Sequence, residues 1–277
     1  LITVTNGAYI TNFEYDPASR RTKKTLGNGA YTAYSYDNAN NLMQLGNYKS
    51  NADLISRFTY TVDSVGNRTQ MVMEEPAKTD TIDYSYDIAY RLTGEARVST
   101  NPAMNYTEEF VYDAMGNRTE RRKSTAGNPF ETTNYTYNSA NQLTTEISAF
   151  SQTNYSYDDN GNMIQKQFGT DVTNYGFDSL DRMTTATVNG VTSSYSYDVS
   201  GKRIRKNLIQ SGQGVTEYWH QGDNVIAEVN PATEAVTATY NTPFLDENVS
   251  MNKNGQTYYY MQDGLGSVRQ LIDSSTQ

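Results

Sequence analysis

The sequence predicts an all-β protein made of tandem antiparallel hairpins. Three observations predict it. A short aromatic phrase ending in Asp returns along the chain at near-constant spacing, each return is followed by a turn signature, and the composition favours strands with wide polar surfaces over a thick aliphatic core.

The phrase is plainest in FVYDAMGNRTERR, residues 110–122. Anchored on the Asp or Asn after the aromatics, copies fall at Asp16, Asp37, Asp63, Asp87, Asp113, Asn138, Asp158, Asp178 and Asp198, spaced by 21, 26, 24, 26, 25, 20, 20 and 20 residues. Side chains alternate along a strand, so the residues one and three before an anchor share a face. That face carries Phe13/Tyr15, Tyr34/Tyr36, Tyr84/Tyr86, Phe110/Tyr112, Tyr135/Tyr137, Tyr155/Tyr157, Tyr175/Phe177 and Tyr195/Tyr197, while the Asp63 copy has Tyr60 and Val62. The opposite face shows Ser, Thr, Gly, Val or Glu. An aromatic ladder on one side and a small, mostly polar surface on the other is the expected result, with neighbouring rings adding about 0.2–1 kcal/mol per pair.

The anchor opens a turn. Its carboxylate can accept backbone N–H bonds two residues on, and the third residue after it is Ser19, Asn40, Gly66, Tyr90, Gly116, Asn141, Gly161, Asp181 or Gly201. Seven of these nine are Gly, Asn or Asp, which tolerate the positive φ that a three-residue hairpin loop demands; Ser19 and Tyr90 depart from the pattern. Gly falls in alternate copies. The copies between place Leu42, Leu92, Leu143 or Met183 five after the anchor, where Gly copies mostly place Arg68, Arg118 or Arg203. The unit is therefore read as a doublet of two hairpins. The positions expected to carry the repeat are Tyr36, Asp37, Tyr86, Asp87, Tyr112, Asp113, Gly116, Tyr157, Asp158, Gly161, Tyr197, Asp198 and Gly201.

Composition narrows the function. Hydrophobic residues make up 36% of the 277, and many are Tyr, which number 24 against 8 Phe and 1 Trp. The formal net charge is -9, so a phosphate backbone is a poor partner and no nucleic acid is expected. There is no Cys, which excludes disulfides and thiolate metal sites and fits either a reducing cytosol or a bacterial secreted protein. No stretch approaches 18 apolar residues, so no membrane insertion is expected. The opening LITVTNGAYI lacks a basic and an apolar region, does not read as a signal peptide, and reads as the middle of something longer.

Four-stranded doublets also describe propeller blades, the runner-up architecture. The phrases YDAMGNRT (112–119), YDIAYRLT (86–93) and YSYDVSGKRIRK (195–206) resemble the YD repeats of the RHS family. The later stretches YWHQGDNVIAEV (218–229) and YYYMQDGLGSVRQLIDSSTQ (258–277) resemble the opening of its repeat-associated core region. The resemblance implies residues 1–206 as the hairpin array and 207–277 as the last repeat-like strands and the start of the core. It implies a long antiparallel sheet that curves and spirals into a hollow shell around a C-terminal toxin, in a bacterial secreted or surface protein. Its partners would be the rest of its own longer chain, namely core plug and toxin segment, or further copies of itself. In many members the core region cuts the toxin free by aspartyl self-cleavage in later Asp-Pro-x-Gly motifs. This chain has none, its one Asp-Pro being Asp16-Pro17, so no self-cleavage and no enclosed cargo are expected of nine hairpins alone.

Sharper readings compete poorly. His220 is the one His, with no second His or Cys to share a metal, and reads as a strand residue. GNGAY (27–31), GLGS (264–267), DDNGN (158–162) and DENVSMNKNG (246–255) read as turns, as do Asp263 and Asp273. No catalytic, cofactor-binding or metal residue is assigned and no cofactor is implied. The alternative from another class is a glycan-binding adhesin or a filament-forming module using the aromatic ladder.

Overall fold

A computed structural model describes residues 2–6, 9–208, 214–244 and 247–273. Twenty-five strands, all in one antiparallel sheet, account for most of them. Consecutive strands pair, as in Tyr31–Tyr36 with Leu42–Tyr48 and Leu42–Tyr48 with Leu54–Val62. Pairing runs on from hairpin to hairpin and is not broken into separate four-stranded blades, so the propeller reading gives way to the continuous sheet. The only helix among the described residues is the single 3-10 turn Pro102–Met104.

The expected facing holds. The residue two before the anchor is exposed in eight of the nine copies, while its aromatic neighbours on either side are buried or half-buried. At every anchor with a described register the pairing slips between that residue and the next, as at Ser35/Tyr36, Ser156/Tyr157 and Ser196/Tyr197. This is the bulge that a three-residue loop with one left-handed residue leaves behind.

Between hairpins the register steps by a constant amount. Tyr135 stands opposite Glu146, and Glu146 opposite Thr153, so Tyr155 lies two residues further towards its own turn. The same step of two relates Tyr155 to Tyr175 and Tyr175 to Tyr195. It also relates Phe13 to Tyr34, Tyr34 to Tyr60 and Tyr60 to Tyr84. One residue of stagger per strand, at about 3.4 Å rise and 4.8 Å strand spacing, sets the row of equivalent residues roughly 35° off the perpendicular to the strands.

The chain divides into two compact units. One comprises residues 1–107, 224–226 and 238–277, and the other 108–223 and 227–237. In the first, the aromatic face is covered. Phe13, Leu26, Ala30 and Ile55 pack with Val249, Tyr259, Met261 and Ile272, all buried. Beside them Leu45, Phe58, Tyr60, Met71 and Ile82 form a second cluster. Full burial of each large apolar side chain contributes about 1.5–3 kcal/mol, so these clusters hold the later strands onto the early hairpins. In the second unit Tyr135 and Tyr218 are buried, but Tyr112, Tyr157 and Tyr197 are half-buried. The docking of 249–272 onto the early hairpins is absent from the repeat pattern.

Candidate functional site

The repeated element is the structure's most regular feature, and it is built in three steps. First comes the turn. Positive φ occurs at Ser19, Asn40, Gly66, Tyr90, Gly116, Asn141, Gly161, Asp181 and Gly201, between 58° and 93°. Ser19 and Tyr90 thus adopt the turn although their side chains disfavour it. The anchor's backbone N–H donates to the carbonyl four residues on, and the third residue donates back, as in Asp63 to Asn67 at 2.9 Å and Gly66 to Asp63 at 3.1 Å.

Second, the anchor carboxylate fastens the loop. Oδ1 of Asp113 accepts from the N–H of Met115 and Asn117, and Oδ2 accepts from the Asn117 side chain at 2.9 Å. Asp37, Asp63 and Asp158 repeat this with Asn41, Asn67 and Asn162. Asp16, Asp87 and Asp178 use Arg20, Arg91 and Arg182, each Nε at 2.7 Å. The fourth residue is therefore a second determinant, which the sequence reading passed over. The signal was present: it is Arg, Asn, Gln or Lys in every copy. These bonds hold the carboxyls of the Asp anchors below the usual range. The largest cause is the side-chain amide in Asp37, Asp63, Asp113 and Asp158, the backbone N–H of the fourth residue in Asp16 and Asp87, and the Ser200 hydroxyl in Asp198. At Asp178 desolvation pushes upward, and the Arg182 bonds outweigh it.

Third, five of the hairpins grip the one before them. The hydroxyls of Tyr36, Tyr86, Tyr137, Tyr157 and Tyr197 donate to the carbonyls of Arg21, Arg68, Arg118, Leu143 and Met183, at 2.7–3.0 Å. The acceptor is always the residue five after the preceding anchor. Along the rim, Arg20 and Arg182 donate to the carbonyls of Asp37 and Asp198, and Asn162 reaches Asp181.

The doublet now has a physical basis. Arg at the fifth position sits among the ladder rings: Arg68 over Tyr60 at 3.8 Å, Arg118 between Phe110 at 5.6 Å and Tyr135 at 4.6 Å, and Arg203 between Tyr195 at 5.7 Å and Tyr218 at 5.3 Å. The register stagger puts equivalent ladder residues of successive hairpins about 12 Å apart across two strand spacings, well beyond ring contact. Ring-on-ring stacking along the ladder therefore gives way to guanidinium groups and half-buried hydroxyls filling the intervals.

Asp263 forms a tenth turn of the same kind. Its Oδ1 accepts from Leu265 and Ser267, its Oδ2 from Arg269, and Gly266 has φ of 80°. The turn role expected of Asp263 is thus met, whereas a turn after Asp273 lies outside the described residues. This hairpin faces the other way. The buried residues are two and four before the anchor, Met261 and Tyr259, and they meet the early hairpins. The Gly264 N–H donates to the Tyr60 hydroxyl at 2.8 Å.

A cleft of about 640 Å³ lies beside that tip, among Arg21, Lys24, Tyr34, Tyr36, Glu247 and Gln262. Arg21 forks onto Glu247 at 2.6 and 2.9 Å. Among the described residues no group of three or more His, Cys, Asp or Glu is placed to hold a metal. His220 lies on the strand Gly214–Gln221, as expected.

The sequence model of the teneurin YD-shell family matches residues 69–277, three quarters of the chain. This chain belongs to the YD-shell family. The tRNA3(Ser)-specific nuclease WapA of Bacillus spizizenii is 30% identical over 223 residues, covering 78% of this YD-shell chain and 7% of that protein. The Tc holotoxin pore of Photorhabdus luminescens superposes with a TM-score of 0.72 at 17% identity, over 96% of this chain and 15% of that one. A TcdB2-TccC3-TEV complex superposes with a TM-score of 0.71, also at 17% identity and the same coverage. The chain thus spans a small fraction of each relative, and the structural likenesses speak to the fold.

Proposed function

We propose that this chain is a non-catalytic wall segment of a YD shell that encloses a C-terminal toxin or effector within a larger secreted or surface protein. Residues 1–206 are the hairpin array in this reading, and 207–277 the last repeat-like strands and the start of the core. The observation that carries it is the hairpin-to-hairpin lock, because it commits the recurring polar groups of five hairpins to joining neighbouring strands. Tyr36, Asp37, Tyr86, Asp87, Tyr157, Asp158, Tyr197 and Asp198 all use their polar atoms internally. This also weighs against the glycan alternative, since those hydroxyls are already engaged and those rings half-covered.

Protease challenge of the longer parent protein tests the proposal. The C-terminal segment should survive digestion in the intact protein and be lost once the wall is opened by Asp113→Ala with Asp158→Ala. Equal digestion of both would overturn it. The intact mass of this fragment should stay constant over days. A defined cleavage product that disappears in Asp263→Asn would assign catalysis to a residue read here as a turn.

A further inference from the structure

The cleft of the first unit carries an imbalance of charge. Arg21 takes both oxygens of Glu247. Lys24, 1% exposed, sits 3.9 Å from Glu247 Oε1 and donates to Gln262 Oε1 at 3.2 Å. The cleft's other carboxylate, Asp263, is committed to Arg269 and to two turn amides. Two cations therefore share one carboxylate; Arg21 and Glu247 are 22% and 20% exposed at the cleft, whereas Lys24 is buried, and a buried charge without an equal partner is costly. The space next to them is large enough for a small organic molecule, with ring and aliphatic walls from Tyr34, Tyr36, Leu42 and Leu45.

We propose that this cleft is a binding site for a monocarboxylate with a flat or apolar body. The carboxylate neutralises Lys24, and the body lies against Tyr34, Tyr36 and the two leucines. The same chemistry is offered by a free organic acid or by an acidic side chain of a polypeptide. Every ionisable group facing Lys24 fits this arrangement: Glu247 favours its charge, Arg21 opposes it, and burial, the largest cause, pushes its ammonium down to about 8. The phenol of Tyr34 is pushed up to about 12 by burial and stays neutral. An arriving carboxylate restores the charge on Lys24, so binding at mildly alkaline pH takes up a proton.

Isothermal titration at pH 8.5 in two buffers of different ionisation enthalpy tests this, with benzoate in one arm and the doubly blocked dipeptide acetyl-Phe-Asp-amide in the other. Saturable one-site binding with uptake of a substantial fraction of a proton is expected. Tighter benzoate assigns the site to free acids, and tighter dipeptide to polypeptide side chains. Lys24→Arg should hold affinity within about threefold and abolish the proton uptake; this readout remains decisive if Lys24→Met fails to fold. Lys24→Met, if folded by circular dichroism, should lose binding at least tenfold. Absence of saturable binding in both arms, or proton uptake unchanged in Lys24→Arg, would overturn the proposal.

Discussion

Replacing Tyr60 by Phe isolates the contact that fastens the tenth turn to the early hairpins. The ring stays, with its place in the buried cluster and under the Arg68 guanidinium. Only the hydroxyl goes, and with it the acceptor for the Gly264 N–H at 2.8 Å. Tyr60 is 1% exposed, so the lost group is not simply returned to solvent. An ordinary hydrogen bond contributes about 0.5–1.5 kcal/mol net, and an orphaned buried donor costs about 1–3 kcal/mol. Gly264 borders the cleft, which lets water reach its amide, so the lower half of that range applies, about 1–2 kcal/mol. For a unit of this size each kcal/mol moves the midpoint by roughly 2–4 °C. The assay is urea unfolding followed by far-ultraviolet circular dichroism, with hydrogen exchange at the Gly264 amide read in parallel. Stability within about 0.3 kcal/mol of the parent, with that amide no less protected, would refute the reasoning, because the docking would then rest on apolar burial alone.

Other expectations follow from the repeat. Tyr90 holds φ of 61° with an exposed ring, so Tyr90→Gly should stabilise by about 1 kcal/mol, while Gly116→Ala, at φ of 92°, should destabilise by about 1–2 kcal/mol; chemical denaturation measures both, and a shared sign would exclude backbone strain as the cause. The anchor carboxyls titrate below their unfolded value of about 3.9, so folding favours their charged form; the stability they add is complete above that pH and is lost as pH falls through the lower folded values. Midpoints measured from pH 6 to pH 2 should hold steady to about pH 4 and then drop, and Asp63→Asn with Asp113→Asn should blunt the drop. Met261→Ala, at a fully buried site, should cost about 2–5 kcal/mol, whereas Tyr157→Ala, half-buried, should fall short of the 3–5 kcal/mol of a buried aromatic; equal losses would contradict the difference in cover between the two positions.

Local rules made the hairpins legible. The spacing of anchors, the alternation of Tyr with Ser or Thr, and the residue tolerant of positive φ are all short-range choices, and each leaves a mark in the sequence. Even Ser19 and Tyr90 adopt the turn, because the Asp16 and Asp87 carboxylates and their Arg partners impose it from outside the strained residue. The partner at the fourth position was equally visible but disguised by varied identity, since Asn and Arg both donate a side-chain N–H to the anchor carboxylate, Gln142 instead accepts from the Asn138 amide, and the Lys202 ammonium turns to the Gly222 carbonyl. What stayed hidden is non-local. Lys24 pairs in space with Gln262 and Arg21 with Glu247, more than 200 residues away, and no periodicity reports such pairs. The inverted facing of Tyr259 and Met261 had one sign, a large apolar Met where earlier copies place small or polar residues, and a single departure carries little weight without its partner surface.

The step of two residues per hairpin has a meaning for how such a chain can change in length. Two is even, and side chains alternate with a period of two, so each added hairpin preserves which residues look to which side. An odd step would turn the ladder inside out at every repeat. Copying or deleting one unit of 20 to 26 residues therefore leaves the parity of all the others intact, and a new junction can meet the same carbonyl, five past an anchor, that the hydroxyls of Tyr137, Tyr157 and Tyr197 already reach. Length becomes a matter of counting units: duplication of one hairpin keeps the facing of every strand, and duplication of a doublet keeps the alternation of Gly and Arg copies as well.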